Sequence, residues 1–346
     1  MSGLRGRRSG PALGASALAV AAAAAGFLLV AFGGPAVFEA WFLAFVILAG
    51  LSAGSLGLLM IGHLMSEDWL APVRRDAEAL CLAFPLLVVL AVPLAFRLDA
   101  LYPWAGGDLS LPEGLAIYLR PAFFLLRSAL YLAVWTGLAM WIARTRHVRR
   151  TSAIGLALLA PTIACAANDW VLSREPQWWS SLFGFAFGLS QVLAALAVVL
   201  TLVLSRRGPD TKRMISLERA LLTLALLSLW TWFSQFLIVW LANLPDEAAW
   251  YLARLGEWRW VMVWVVLPTA LAAIVILVPT GVGRWSMMAG AGLLVVHHLA
   301  HMIWLIRPGG KDAVALWLDA AMLAGLGAIF ALWVSAARRF RPRPDR

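Results

Sequence analysis

Ten apolar runs follow one another along the chain, at 12–34, 36–64, 76–97, 117–143, 151–173, 178–205, 216–243, 258–280, 284–306 and 312–337, with polar connections between them. Each is long enough for a helix to cross a hydrocarbon core of about 30 Å, where every backbone donor and acceptor must be satisfied within the segment. The pattern predicts an all-α polytopic membrane protein of about ten transmembrane helices. Most connections are short, which makes consecutive helices antiparallel neighbours. Residues 1–346 read as a single integral membrane domain, with cytoplasmic tails at 1–11 and 338–346. The first run continues to about Phe32, longer than the apolar part of a signal peptide, and this favours an uncleaved first helix.

Charge adds an orientation. Arg5, Arg7 and Arg8, Arg74 and Arg75, Arg144 to Arg150, Arg206 to Arg219, Arg284, and Arg338 to Arg346 all fall on alternate connections or at the two ends. The opposite connections hold only Arg97, Arg120, Arg174, Arg254, Arg259, Arg307 and Lys311, and Arg127 lies inside a run. The positive-inside rule then puts both termini in the cytoplasm, with the chain in the cytoplasmic (inner) membrane. The net charge of +10 is thus read as topology rather than as a nucleic-acid footprint, and no nucleic-acid partner is expected. Charged residues make up 13% of the chain and mean hydropathy is +0.84, so soluble fold classes do not apply.

Cys81 and Cys165 both fall inside runs and neither has a CxxC partner, so this chain alone offers no disulfide framework and no iron–sulfur or zinc site. Many of the 19 tryptophans sit near run ends, where amphipathic rings anchor at headgroup level. Gly50, Gly54 and Gly57 in the second run, and Gly184 and Gly188 in the sixth, predict closely approaching helices. Two outer loops, 98–116 and 244–257, are long enough to offer a partner surface.

An ionisable group at depth costs at least a few kcal/mol on insertion scales, so each one is a functional candidate. Toward the outer face lie Glu39, Asn168, Asp169, Gln235, Asn243 and Asp319, with His297, His298 and His301 in the ninth run. Arg127 and Gln191 lie nearer mid-depth, and His63, Asp76, Glu78 and Glu218 toward the inner face. Carboxylates and imidazoles change charge near physiological pH when their neighbours shift them. Asp169, Glu78, His63, His297, His301, Asp319 and Glu39 are accordingly the candidates for a proton route, whereas Asp76, after two arginines, reads as a helix-start cap. A b-type haem needs facing imidazoles at one depth, and His63, the loop residue His147 and the ninth-run cluster do not supply them. A metal on His297 and His301 would need Asp319 or Asp169 as a further ligand, so no metal site is expected.

Specific strings go further. Residues 69–78 (WLAPVRRDAE), Leu101–Tyr102–Pro103–Trp104, Asn168–Asp169–Trp170 with Ser173, the segment 177–181 (QWWSS) and the segment 233–247 (FSQFLIVWLANLPDE) resemble the ActF subunit of alternative complex III. The match in order and spacing runs over about residues 36–280, within the wider NrfD/polysulfide-reductase-C group of integral subunits. That resemblance implies two four-helix bundles with flanking helices and no redox cofactor held by this chain. It also implies a respiratory quinol:electron-acceptor (cytochrome c) oxidoreductase containing a second NrfD-like membrane subunit, with extracytoplasmic iron–sulfur and haem c subunits. Quinol or quinone is then a possible ligand, drawn from the quinone pool. Residues carried over on motif positions are Asp169, Gln235, Asn243 and Glu247 on the outer side, and Arg75 and Glu78 on the inner side.

The expectation is therefore a membrane subunit that supports quinone-site architecture, proton movement, or both. Two rivals remain: a stand-alone proton-coupled secondary transporter, and a scaffold of another NrfD-like redox complex. The transporter is disfavoured because the polar residues cluster near the faces and no corresponding pair of runs is broken by Gly or Pro. Pro85 and Pro93 interrupt the third run only.

Overall fold

The computed structural model describes residues 9–65, 69–107, 109–206, 211–310 and 315–340. The chain is an all-α polytopic membrane protein. Among the described residues, nine helices are long and apolar enough to cross a bilayer, and Ala17–Phe32 adds a shorter apolar stretch within the first helix. The long helices are α1 (Ser9–Phe32), α2 (Pro35–Met65), α3 (Ala71–Cys81) continued by α4 (Phe84–Ala95), α7 (Pro121–Arg144), α8 (Val148–Trp170), α9 (Phe183–Arg206), α10 (Thr211–Ala242), α12 (Arg259–Val261) continued through a π turn into α13 (Leu267–Leu277), α14 (Arg284–Ile306) and α15 (Leu316–Phe340). Short helices α5 (Leu98–Leu101), α6 (Glu113–Tyr118) and α11 (Pro245–Leu255) lie in the connections at the end opposite the termini. That end is the distal face below, and the end near α1's start and α15's finish is the terminal face. The tails expected at 1–11 and 338–346 fall mostly outside the described residues, and helix reaches in to Ser9 and out to Phe340.

Packing sorts these helices into two rings of four. In the first, α2 packs on α4, α4 on α7, α7 on α8 and α8 on α2. The second closes in the same way through α9, α10, α13 and α14. The rings join where α2 and α8 meet α9, and α1 and α15 flank the first ring against α4, α3 and α2. Helix α2 is the axis of the molecule: 94% of its most apolar window is buried, against 11% for α15. Small residues make that position tenable. A Cβ on Gly54 would run into the Gln191 backbone carbonyl on α9, so the two helices meet there backbone to backbone.

Proline explains where the helices depart from the apolar runs. Pro121 cannot donate and holds Arg120 extended at φ −53°, ψ 128°, so the fourth run divides into α6 on the surface and α7 in the membrane. The third run starts earlier than its apolar stretch, at Ala71, and breaks at Leu82–Ala83 ahead of Pro85. There the Trp333 indole on α15 donates to the Leu82 carbonyl at 2.9 Å, supplying a partner at a broken helix. Pro268 removes a backbone donor from the eighth run, and the turn before it, Met262–Val266, widens to π geometry. The sixth run becomes helical only at Phe183, because 178–182 stays in the distal connection.

Candidate functional site

The distal third of the first ring holds an apolar cavity of about 310 Å³. Phe42 and Phe45 of α2, Phe124 and Ser128 of α7, Trp170 of α8 and Tyr102 form its inner wall. Val88 and Val92 of α4 and Ala129 and Ala133 of α7 border it and are exposed on the lipid-facing side, so it opens laterally between α4 and α7. Polar atoms enter at one end only. Tyr102 Oη donates to the Trp170 carbonyl at 3.1 Å, and the Trp170 indole donates to Ser128 Oγ at 3.0 Å. Burial pushes the Tyr102 phenol above its ordinary value, so it stays a donor.

Immediately behind Trp170 stands Asp169, fully buried near the end of α8. Helix α7 presents Arg127 and Tyr131 on one face, four residues apart. Arg127 Nε and Nη2 donate to the two Asp169 oxygens at 2.9 and 3.0 Å, and Tyr131 Oη donates to Oδ2 at 2.7 Å. The third Arg127 nitrogen donates to the Tyr118 carbonyl at 2.8 Å, and the guanidinium lies 3.8 Å from that ring's centroid. Burial, with Asp169 nearby, raises the Tyr118 phenol to about 12. A pocket of about 60 Å³ lies against Asn168 and Asp169 and reaches the exposed Trp179, with room for about two waters.

Glu39 and Asp319 belong to a second polar group on the distal face. Arg174, in the 3-10 turn 172–174, donates through Nη2 to both Glu39 oxygens at 2.8 and 2.7 Å. Arg307, in the turn after α14, approaches Glu39 to 3.8 Å and donates through Nε to Asp319 at 2.8 Å, with its Nη2 on the other oxygen. All four side chains are at most 3% exposed and their formal charges cancel. Gly310 makes the crowding possible: a Cβ there would lie 3.2 Å from Arg174 Nη2 and 3.4 Å from Glu39 Oε2. Next in the chain, Glu175 accepts from Arg254 of α11, which also donates to the Trp250 and Leu305 carbonyls and lies 3.5 Å from the Trp250 ring centroid. Burial lowers the Arg254 pKa while Glu175 opposes that shift.

The remaining motif positions also shape this face. Gln235 is buried on α10, accepting from Ser180 Oγ at 3.0 Å and donating to Tyr251 Oη at 3.4 Å. Asn243 ends α10 with φ 50°, a left-handed conformation that asparagine tolerates better than most residues. The Glu247 carbonyl accepts from the Trp178 indole at 3.0 Å, and Trp178 stacks on Trp250 with centroids 4.4 Å apart.

The histidines stand apart, in the second ring. His297 Nδ1 donates to the Val266 carbonyl of the π turn at 2.9 Å. His301 meets the Trp232 ring edge-on at 4.7 Å, and that indole donates to Ser190 Oγ at 2.8 Å. His298 is buried, and among the described residues its Nε2 has no hydrogen-bond partner. Asp319 and Asp169, the carboxylates a metal on His297 and His301 would need, lie in the arginine pairs instead. Toward the terminal face, His63 Nδ1 meets Ser152 Oγ at 2.8 Å, Glu78 pairs with Arg74 at 3.1 Å, and Arg75 donates to the Arg338 carbonyl. Asp76 lies inside α3, which starts at Ala71, and is not the helix-start cap expected from the sequence: it bridges Arg206 and Arg338, and so ties α3 to α9 and α15 rather than to its neighbours Arg74 and Arg75.

Asp169, Glu39, Asp319 and the cation Arg127 thus stand out in the sequence, whereas three other buried cations do not. Arg174, Arg254 and Arg307 looked like loop charges, and each is buried. The available signal was the aromatic and glycine content around them, Gln177–Trp178–Trp179 and Gly309–Gly310, which lets connections fold onto the helix ends. No protein-family model matches this chain, and no curated protein matches it.

Proposed function

We propose that this protein is the ActF-like integral subunit of a respiratory quinol:electron-acceptor (cytochrome c) oxidoreductase in the cytoplasmic membrane. Its termini are cytoplasmic and its distal face meets extracytoplasmic iron–sulfur and haem c subunits beside a second NrfD-like membrane subunit. The observation that carries this reading is the lipid-accessible cavity between α4 and α7. An apolar slot with aromatic walls and polar atoms at one end suits an isoprenoid quinone, whose tail stays in lipid while its ring needs stacking and one or two hydrogen bonds. The chain supplies the walls of such a site and no redox group.

Oxidising a quinol releases two protons along with two electrons, and those protons need an exit. The water-sized pocket between Asp169 and Trp179 supports an exit toward the distal face. Asp169 is held by Arg127 and Tyr131, so its role in that exit is to order water at the pocket's inner end.

Purification from native membranes in mild detergent, followed by labelling with a photoreactive quinone, tests the proposal. Expected are co-purifying haem c and iron–sulfur proteins and adducts on α4 or α7. A lone chain that moves a solute in vesicles, with no adduct at the cavity, overturns it.

A further inference from the structure

The terminal face carries a concave basin of about 570 Å³ between the end of α2 and the α7–α8 turn. Its floor is apolar, made by Leu64 and Ala153, and its rim is Arg146, His147, Arg149 and Arg150. Three other arginines of this face pair with carboxylates, Arg74 with Glu78 and Arg206 and Arg338 with Asp76, while Arg75 and Arg284 donate to backbone carbonyls. Among the described residues, Arg146, Arg149 and Arg150 have no carboxylate partner, and all three are exposed. Three unneutralised guanidinium groups held within one helix turn and its approach repel one another, and an anion between them removes that cost.

We propose that this basin binds the phosphodiester headgroup of an anionic phospholipid. The two parts of the lining select it together. Guanidinium groups donate in pairs to phosphate oxygens, and the first turn of α8, which begins at Val148, lines the basin with Val148, Arg149 and Arg150. The apolar floor lies one turn deeper, at Ala153, where the glycerol and first acyl carbons of a lipid anchored at that phosphate sit. Inorganic phosphate has no group for that floor. The position also fits, because α7 ends at Arg144 and α8 starts at Val148, so the basin lies where helices leave the membrane.

Native mass spectrometry of the full chain in mild detergent, titrated with phosphatidylglycerol or phosphatidylcholine, tests this. Wild type should retain phosphatidylglycerol at least about tenfold more tightly than phosphatidylcholine, and R146Q/R149Q/R150Q should lose that preference. R341Q/R343Q/R346Q removes the same charge from the C-terminal segment and should keep it. A153W leaves every charge in place and fills the floor; it should weaken phosphatidylglycerol binding several-fold, and it carries the test if the triple variant does not fold. Millimolar inorganic phosphate should not displace the lipid. Equal loss in the two triple variants, unchanged binding in A153W, or full displacement by phosphate each overturns the proposal.

Discussion

Arg127 grips Asp169 across 42 residues of sequence through two contacts of 2.9 and 3.0 Å, with a tyrosine hydroxyl completing the shell around the carboxylate. A positive charge at depth in α7 and a negative charge near the end of α8 thus satisfy one another, and the pair fixes the wall between the apolar cavity and the water-sized pocket.

Breaking one side leaves the other charge buried alone. D169N should destabilise the protein by about 3 kcal/mol, because an uncompensated buried ion is far more costly than a missing pair. R127M/D169L, which removes both charges, should recover most of that loss. Thermal unfolding in detergent reads both; equal stability of D169N and wild type would rule out a buried pair.

Glu39 and Asp319 share Arg307, so their contributions should not add. E39Q and D319N should each destabilise, and the double variant should depart from the sum of the singles by about 1 kcal/mol. Pairing E39Q with D76N, at the opposite face, provides the additive control. Strict additivity of E39Q and D319N would mean that the four distal charges act as two separate pairs.

How much of this was readable in advance depends on what carries the information. The helices were legible because bilayer thickness forces long apolar segments, and the glycines of α2 and α9 pointed correctly to close packing. Helix ends were less legible where proline intervened, as at Pro121 and Pro85. The acids stood out because charge within an apolar run is conspicuous. Arg127 stood out for the same reason, but Arg174, Arg254 and Arg307 did not, since they occur in polar connections where an arginine is ordinary, and only the tertiary fold buries them. The lateral cavity had no sequence signature, because its lining is the same Phe, Ala and Val that fills every other helix.

Alkaline pH should loosen the distal face. Burial raises Tyr251 to about 12, with its Gln235 hydrogen bond and nearby Arg254 opposing, and Tyr118 is raised to about 12 as well. An unfolded tyrosine titrates near 10. Between these values the folded state binds more protons than the unfolded state, so stability is complete below about pH 10 and falls as pH rises toward 12. Unfolding temperature followed from pH 8 to pH 12 should show this decline. Y251F should make it shallower, and an identical slope in Y251F would remove Tyr251 as a cause.

His297 is the test of whether the imidazoles of α14 have a structural duty. Its Nδ1 serves the Val266 carbonyl at the π turn, which also accepts from Thr269 Oγ1 at 3.2 Å, so H297L should remove one of two side-chain donors from a buried acceptor and cost about 1 kcal/mol. H297N can restore a donor near that position and should recover part of the loss. If H297L matches wild type in stability while quinol oxidation by the assembled complex falls, the ring's importance lies in chemistry and not in holding the turn.

The cavity between α4 and α7 can be challenged from its mouth and from its wall separately. Ala129 is exposed at the opening, so A129W should change stability by no more than about 0.5 kcal/mol, as surface substitutions generally do. It should nevertheless reduce labelling by a photoreactive quinone at least about tenfold, because the indole occupies the entrance. Ser128 lies deeper and accepts from the Trp170 indole; S128A should cost about 1 kcal/mol by leaving that donor unpaired. Its effect on labelling should come through a looser Trp170 and therefore be smaller than that of A129W. The order of the two effects is diagnostic: a ligand that enters laterally from lipid is blocked at Ala129 first, whereas one arriving from the distal face would be insensitive to A129W and respond only to changes near Tyr102 and Trp170.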